Sequence, residues 1–192
     1  MADCTKGITQ HLRALYCAGR AGGALGKLAP MNSTLMKYQA LSALQHQQLL
    51  QIELLDEQRT TFGDIHGALH PLTAHPASDI QGFVLLVDDV PRGFFLLKRR
   101  SLLPLWAKDQ TATLHGLLID RRFQGARLGS TCVQNLPELA LELWPEIERL
   151  MLAVHPANEA ALRLYQGAGW VFNSEEPKLA EDSERLMTRN LR

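Results

Sequence analysis

Apolar and polar residues mix in a short run from Thr34 to Leu41 that predicts a first strand, and Ser42 then stands where a helix N-cap belongs. Leu44, Leu49, Ile52 and Leu55 recur at near-helical spacing, so Ala43 to Gln58 is predicted as an amphipathic helix with glutamines on its outer face. Residues 59–81 carry Gly63, Gly67, Pro71 and Pro76, which predicts an irregular connection. Two β-rich runs follow, Gly82–Val87 and Gly93–Leu97, with turn residues between them, the pattern of an antiparallel hairpin. Lys98, Arg99 and Arg100 read as a solvated strand end. A loop then leads through Leu102–Gln110.

Leu114–Ile119 is the next strand, and simple alternation places His115, Leu117 and Ile119 on one face. Leu128–Leu143 is a helix with Cys132, Val133, Leu136 and Leu143 among its apolar positions, and Pro137 predicts a kink or break inside it. Arg149–Val154 is a buried strand, Asn158 an N-cap, and Glu159–Ala168 a short helix stopped by Gly169. Trp170–Phe172 and Leu186–Thr188 are the last strands. Strand and helix alternating from residue 114 imply a parallel unit joined to the earlier hairpin: an α/β fold of the α+β kind, with helices on the faces of a mixed sheet.

Composition narrows the classes. With 192 residues, one domain is expected, large enough for a sizeable core. Twenty basic and 20 acidic side chains cancel, so nothing demands a polyanionic partner and no nucleic acid is expected. Cys4, Cys17 and Cys132 form no CxxC pair and suit a reducing compartment. No apolar run approaches the roughly 20 residues that span a bilayer, and Arg13 and Arg20 interrupt the only apolar stretch that could serve as a signal core. No membrane association is expected, and the location is read as cytoplasmic. Residues 1–30 stand apart: Gly19, Gly22, Gly23 and Gly26 oppose a stable helix there, although Ile8–Tyr16 suits a short amphipathic one, so an extension is expected ahead of a domain over 31–192. His66 and His70 share an i, i+4 spacing and His75 follows, but Gly67 between the first two argues against the firm helix a metal site needs, and no metal is expected.

The stretch Leu114–Ser130, LHGLLIDRRFQGARLGS, carries the first candidate chemistry. A strand that turns through glycine into a helix points free backbone amides and the positive end of a macrodipole at one spot, which favours a phosphate at Gln124–Ser130. The same pattern also serves as a plain connection. Ser130 lies in LGSTC, without the G-x-S-x-G elbow of a serine hydrolase.

Two blocks, FQGARLGS and HPANEAALRLYQGAGWV, resemble the GNAT superfamily of acyl-CoA-dependent N-acyltransferases, and the order of elements over residues 34–190 is similar too. In that family the turn reads Q/R-x-x-G-x-G/A and holds the pyrophosphate of coenzyme A. The matching positions here are Gln124, Gly125, Ala126, Arg127, Leu128 and Gly129, with Ser130 after them; Arg127 stands where the family has its first glycine. In the second block Asn158, Ala161, Tyr165 and Gly169 fall at the family spacing. The resemblance implies a GNAT-like central mixed sheet with splayed parallel strands, between which the pantetheine arm pairs with backbone groups of Leu118 and Ile119. It also implies cofactor contacts from the turn and from Asn158 and Ala161.

The implied activity is transfer of an acetyl group from acetyl-CoA, as co-substrate, to a primary amine of a small molecule or peptide by direct attack. Tyr165 matches the family residue that often protonates the departing thiolate, a role favoured by the spacing over that of a buried helix tyrosine with a satisfied hydroxyl. His115 lies where similar proteins often carry a base, and reads equally as structural. The alternative is a non-catalytic acyl-CoA-binding sensor or interaction protein of the same fold, motivated by Arg127 in the turn. Dimerisation is common among similar proteins, so a homodimer is admitted, although no stripe in this sequence marks a dimer face.

Overall fold

A computed structural model describes residues 32–56, 59, 64–74, 78–173 and 184–192. The expected N-terminal extension and His75 lie outside the described residues. The elements run β1 (Ser33–Lys37), α1 (Ala43–Leu49), α2 (Ile65–Ala74), β2 (Ile80–Val87), β3 (Val90–Arg99), β4 (Thr111–Ile119), α3 (Leu128–Leu143), β5 (Arg149–Val154), α4 (Glu159–Gly167), β6 (Val171–Phe172) and β7 (Arg185–Asn190). The strands form one mixed sheet in the order β1-β2-β3-β4-β5-β7-β6. All pairs are antiparallel except β4 with β5.

Two apolar layers cover the sheet. On one face α3 and α4 deliver Leu128, Cys132, Val133, Leu136, Ala140 and Tyr165 onto Leu114, Ile119 and Leu152. On the other, Leu49 of α1 and Ile65 and Leu69 of α2 pack on Val84, Phe94, Leu96 and Leu118. Burial of side chains of this size contributes about 1.5–3 kcal/mol each, so both layers stabilise the sheet.

The predicted hairpin is present and tighter than expected. Asp88 and Asp89 alone form the turn between β2 and β3, both with positive φ (48° and 64°), the backbone of a two-residue turn matched to strand twist.

The helix predicted over Ala43–Gln58 ends at Leu49. Its start follows the sequence: Ser42 and Gln45 cap each other's amides reciprocally. After Leu50 the chain turns out of the helix and runs without regular structure over 52–55, where Ile52 and Leu54 are buried while Leu44 and Leu55 are exposed. Part of the apparent helical spacing therefore belongs to a non-helical segment.

The irregular connection predicted over 59–81 is corrected in the other direction, since α2 occupies Ile65–Ala74. Gly67 donates its amide to the Asp64 carboxylate (2.9 Å), and Ile65 and Leu69 give the helix a buried face despite Pro71. His66 and His70 thus do lie on a helix, both exposed. Among the described residues no three His, Cys, Asp or Glu side chains come together as a metal site would need.

Two further expectations fail for lack of long-range information. Arg99 is not a solvated strand end: it is buried, pairs with Asp79 (3.3 Å) and Glu146, and stacks its guanidinium over Trp144 (4.7 Å). Of the kink or break expected at Pro137, the break does not occur: α3 runs for 16 residues. Leu136 and Ala140 on either side are fully buried, and that packing outweighs the missing hydrogen bond.

Candidate functional site

The site begins where the parallel pair ends. Strands β4 and β5 are paired only at Thr111–Arg149, Ala112–Leu150 and Thr113–Met151. Yet β4 continues to Ile119 and β5 to Val154. A gap therefore opens beyond Thr113 and Met151, bordered by strand edges with unpaired backbone groups.

One residue decides which groups of β4 face that gap. Gly116 has φ +57°, and the register with β3 jumps from Leu96–His115 to Phe94–Leu118, so Gly116 and Leu117 together oppose Phe95. This is a β-bulge with its glycine in the left-handed region. It reverses the alternation beyond it. Ala112 and Leu114 share the α3/α4 face with Leu117 and Ile119, whereas His115 lies on the opposite face with Leu118. The expectation that His115, Leu117 and Ile119 share a face is thereby overturned.

The bulge also separates the two residues implied to pair with a pantetheine arm. Asp120 donates its amide to Arg92 (2.9 Å), which fixes Asp120–Arg92 as a hydrogen-bonded pair in the register Ile119–Gly93, Leu118–Phe94. By alternation the amide and carbonyl of Leu118 face β3, and those of Ile119 and Leu117 face the gap. Of the two residues, Ile119 is thus the one whose backbone borders the gap. The Ile119 carbonyl already accepts a bond from the Gln124 side chain (3.1 Å), which closes the turn above it.

That turn is held from beneath by Asp120, whose carboxylate is fully buried and accepts from Arg122 (2.6 and 2.9 Å) and Arg92 (3.3 Å). Burial alone would raise this carboxyl, but the hydrogen bonds from the Arg122 side chain and amide, with the charges of Arg122 and Arg92, hold it below the usual range. Arg121 and Arg122 reach in turn to Glu53 (2.7 and 3.3 Å), which ties the segment after α1 to the turn.

The turn then delivers the chain to α3. Gly125 has φ +79°, and Arg127, at the helix N-cap, has φ 61° and ψ 14°. This is the left-handed conformation that glycine adopts freely and other residues adopt at a cost of about 1–2 kcal/mol. No side chain caps α3. The first amide with a partner in the helix is that of Thr131, bonded to the Arg127 carbonyl (3.0 Å). The amides of Leu128, Gly129 and Ser130 precede it and have no acceptor within the helix. Leu128 buries its side chain below, and a side chain at Gly129 would press on Leu164 of α4 (3.3 Å). Gly129 thus lets α4 lie close beside these amides.

In α4 the Asn158 side chain accepts from the Ala161 amide (3.1 Å), so these two residues satisfy each other as a cap. Tyr165, a turn further on, is buried against Trp170 (ring centroids 5.6 Å apart) in the α3/α4 layer with Cys132. Burial, and then the neighbouring Cys132, push its phenol well above the ordinary value, so it stays protonated. His115 sits across the sheet, its Nε2 2.8 Å from the Thr113 hydroxyl. Burial, and then the charge of Lys98, lower it to about 4. The imidazole is neutral at neutral pH. Tyr165 and His115 therefore lie on opposite faces of the sheet.

The sequence model of the Acetyltransferase (GNAT) family matches residues 46–170. The chain belongs to the GNAT family. Among curated relatives, the spermine/spermidine N(1)-acetyltransferase of Bacillus subtilis (strain 168) is 33% identical over 84 residues, 44% of this chain and 53% of that protein. The chain spans about half the length of the curated relatives it matches. Solved GNAT-like structures share the fold. A spermidine N-acetyltransferase from Vibrio cholerae in complex with CoA and spermine superposes with TM-score 0.59 at 14% identity, covering 83% of this chain and 95% of the other. The ribosomal-protein-S18-alanine N-acetyltransferase from Escherichia coli does so with TM-score 0.56 at 19% identity, covering 83% and 94%. The GNAT mixed sheet with splayed parallel strands, implied by the resemblance, is the architecture observed. Among the described residues no helix is long and apolar enough to cross a membrane.

Proposed function

We propose that this GNAT-family chain is an N-acetyltransferase that moves an acetyl group from acetyl-CoA to a primary amine of a small molecule or peptide. The observation that carries this reading is the parting of β4 and β5 beyond Thr113–Met151 beside a helix start with three free amides. A diphosphate fits that start, because each free amide can donate to it and the helix dipole favours its charge. Leu128, Gly129 and Ser130 supply the amides, while Gln124, Gly125 and Ala126 shape the approach. The exposed Arg127 makes no hydrogen bond among the described residues through its side chain and supplies a positive charge there. The arm of the co-substrate lies along Leu117 and Ile119 in the gap.

In the transfer the amine nitrogen forms a bond to the acetyl carbon, the carbon–sulfur bond breaks, and one proton passes from nitrogen to sulfur overall. His115, neutral and reached from the α1/α2 face, takes the proton from the attacking amine directly or through water. Tyr165, protonated on the other face, gives one to the departing thiolate and is restored by exchange. Acetyl-CoA is expected to raise the melting temperature, and an amine panel to reveal transfer. Tyr165→Phe lowers kcat by about 100-fold with acetyl-CoA affinity within twofold, consistent with loss of a general acid; unchanged turnover removes Tyr165 from that role. Binding of acetyl-CoA with no transfer to any amine would assign the chain as an acyl-CoA sensor instead.

A further inference from the structure

On the His115 face, the half of the sheet beyond the gap carries a cavity of about 220 Å³ over β5, β7 and β6. Met151, the last β5 residue paired with β4, lines it, so the cavity starts at the fork. Arg149, two residues earlier and therefore about 7 Å along the strand, lines its far end with Lys108, and Thr188, Asn190 and Phe172 are among the other lining residues. None of the described residues that line it is acidic.

Arg149 is poorly satisfied by the protein. Its side chain is largely buried (30% exposed), its Nε has no hydrogen-bond partner, and among the described residues its ion-pair contact is Glu148 at 4.0 Å, the outer limit of such a pair. A guanidinium partly withdrawn from water, with an unpartnered Nε, is stabilised by an anion that compensates its charge. Its fork geometry suits the two oxygens of a carboxylate.

We propose that this cavity holds the carboxylate of the acceptor, so that the enzyme acetylates amines that also bear an acid, and not polyamines. This rests on the reading under Proposed function and names the substrate class of the same site. An acceptor whose amine reaches the fork beside Thr113 and Met151 places an acid a few bonds away on Arg149. A second ammonium group there meets the guanidinium of Arg149, with no acid among the described lining residues to receive it.

The test compares glycine, β-alanine and 4-aminobutyrate with their carboxamides and with spermidine as acceptors. Wild type is expected to favour the best acid over its carboxamide by at least tenfold in kcat/KM. In Arg149→Gln that ratio drops towards one, mainly through a raised KM, and Arg149→Lys recovers part of it. Lys108→Gln, on an exposed residue, lowers the ratio less and guards against an Arg149 variant that fails to fold. A readout without transfer is heat stabilisation of wild type by N-acetyl-4-aminobutyrate but not by its carboxamide. Preference for spermidine or the carboxamides, or a ratio that survives in both Gln variants, overturns the inference. If acetyl-CoA binds and is consumed without preference for acids, this inference falls and the transferase reading stands. If acetyl-CoA neither binds nor is consumed, the transferase reading falls, and absence of stabilisation by the N-acetyl acid removes the cavity's assignment as well.

Discussion

Three helices of this protein begin in contrasting ways. At α1, Ser42 and Gln45 close the end reciprocally, and at α4 Asn158 takes the Ala161 amide. At α3 the N-cap is an arginine in a left-handed conformation, with no side-chain cap. Two ends are finished by their own sequence, while the third spends conformational energy and leaves amides free beside a gap in the sheet. The contrast marks where the fold has kept hydrogen-bonding capacity for something outside itself.

The largest test closes the open end. Arg127→Asp replaces the positive charge with an acid at the N-cap, which competes for the free amides and repels phosphate. Acetyl-CoA affinity measured by calorimetry is expected to fall about 100-fold, equivalent to about 2.7 kcal/mol, while the melting temperature is kept or raised. An unchanged affinity would show that the start of α3 is not the phosphate seat.

A second test probes a polar group closed within the site. The His115 ring has its folded-state value lowered from 6.5 to about 4, so the unfolded chain binds the extra proton first as pH falls. Stability contributed by the neutral ring is complete above about pH 6.5, declines between 6.5 and 4, and is gone below that range. The loss is about 2 kcal/mol, taking roughly 1.4 kcal/mol per unit and discounting for partial exposure. Denaturant titrations at pH 7, 5.5 and 4.5 should show this slope in wild type and a flatter one in His115→Gln.

Opening a closed end has a smaller effect. Asn158→Ala leaves the Ala161 amide without its cap and is expected to destabilise by about 1 kcal/mol in urea. Smallest is Arg127→Gly, which relieves the left-handed residue and should stabilise by roughly 0.5–1 kcal/mol, partly offset by the entropy of glycine in the unfolded chain. A destabilised Arg127→Gly would mean the arginine side chain contributes contacts beyond those described.

What could be read in advance follows the range of the forces involved. The boundaries of α3, β5 and α4 were legible because local groups set them: the glycine turn before Leu128, Asn158 at a cap, Gly169 with φ +81° past the end. The start of α1 was legible through Ser42, but its end was not, because Ile52 and Leu54 are drawn into the α1/α2 layer by strands far away in sequence. Arg99 looked solvated because its partners Asp79 and Glu146 lie 20 and 47 residues away. In the site, the turn and Tyr165 were visible as motifs. The isolated glycine in LHGLLI was a signal for a bulge that simple alternation passed over. Arg149 carried no local signal, since its surroundings come from β6, β7 and the loop before β4.

The bulge at Gly116 has one more consequence. It acts as a half-step within β4, so odd-numbered residues before it and even-numbered residues after it look towards the same helices. Removal of that single residue would leave Leu117 opposite Phe95 and Leu118 opposite Phe94, so the last three strand residues would keep their faces. Straightening the strand with every residue kept is what would turn them inside out: Leu118 would meet α3, and the edge Ile119 now offers to the gap would turn to β3. The aperture between the strands therefore hangs on a surplus amino acid being absorbed at one left-handed position, and a β-branched residue at 116, which resists that backbone, would threaten it more than an exchange of side chains along its rim.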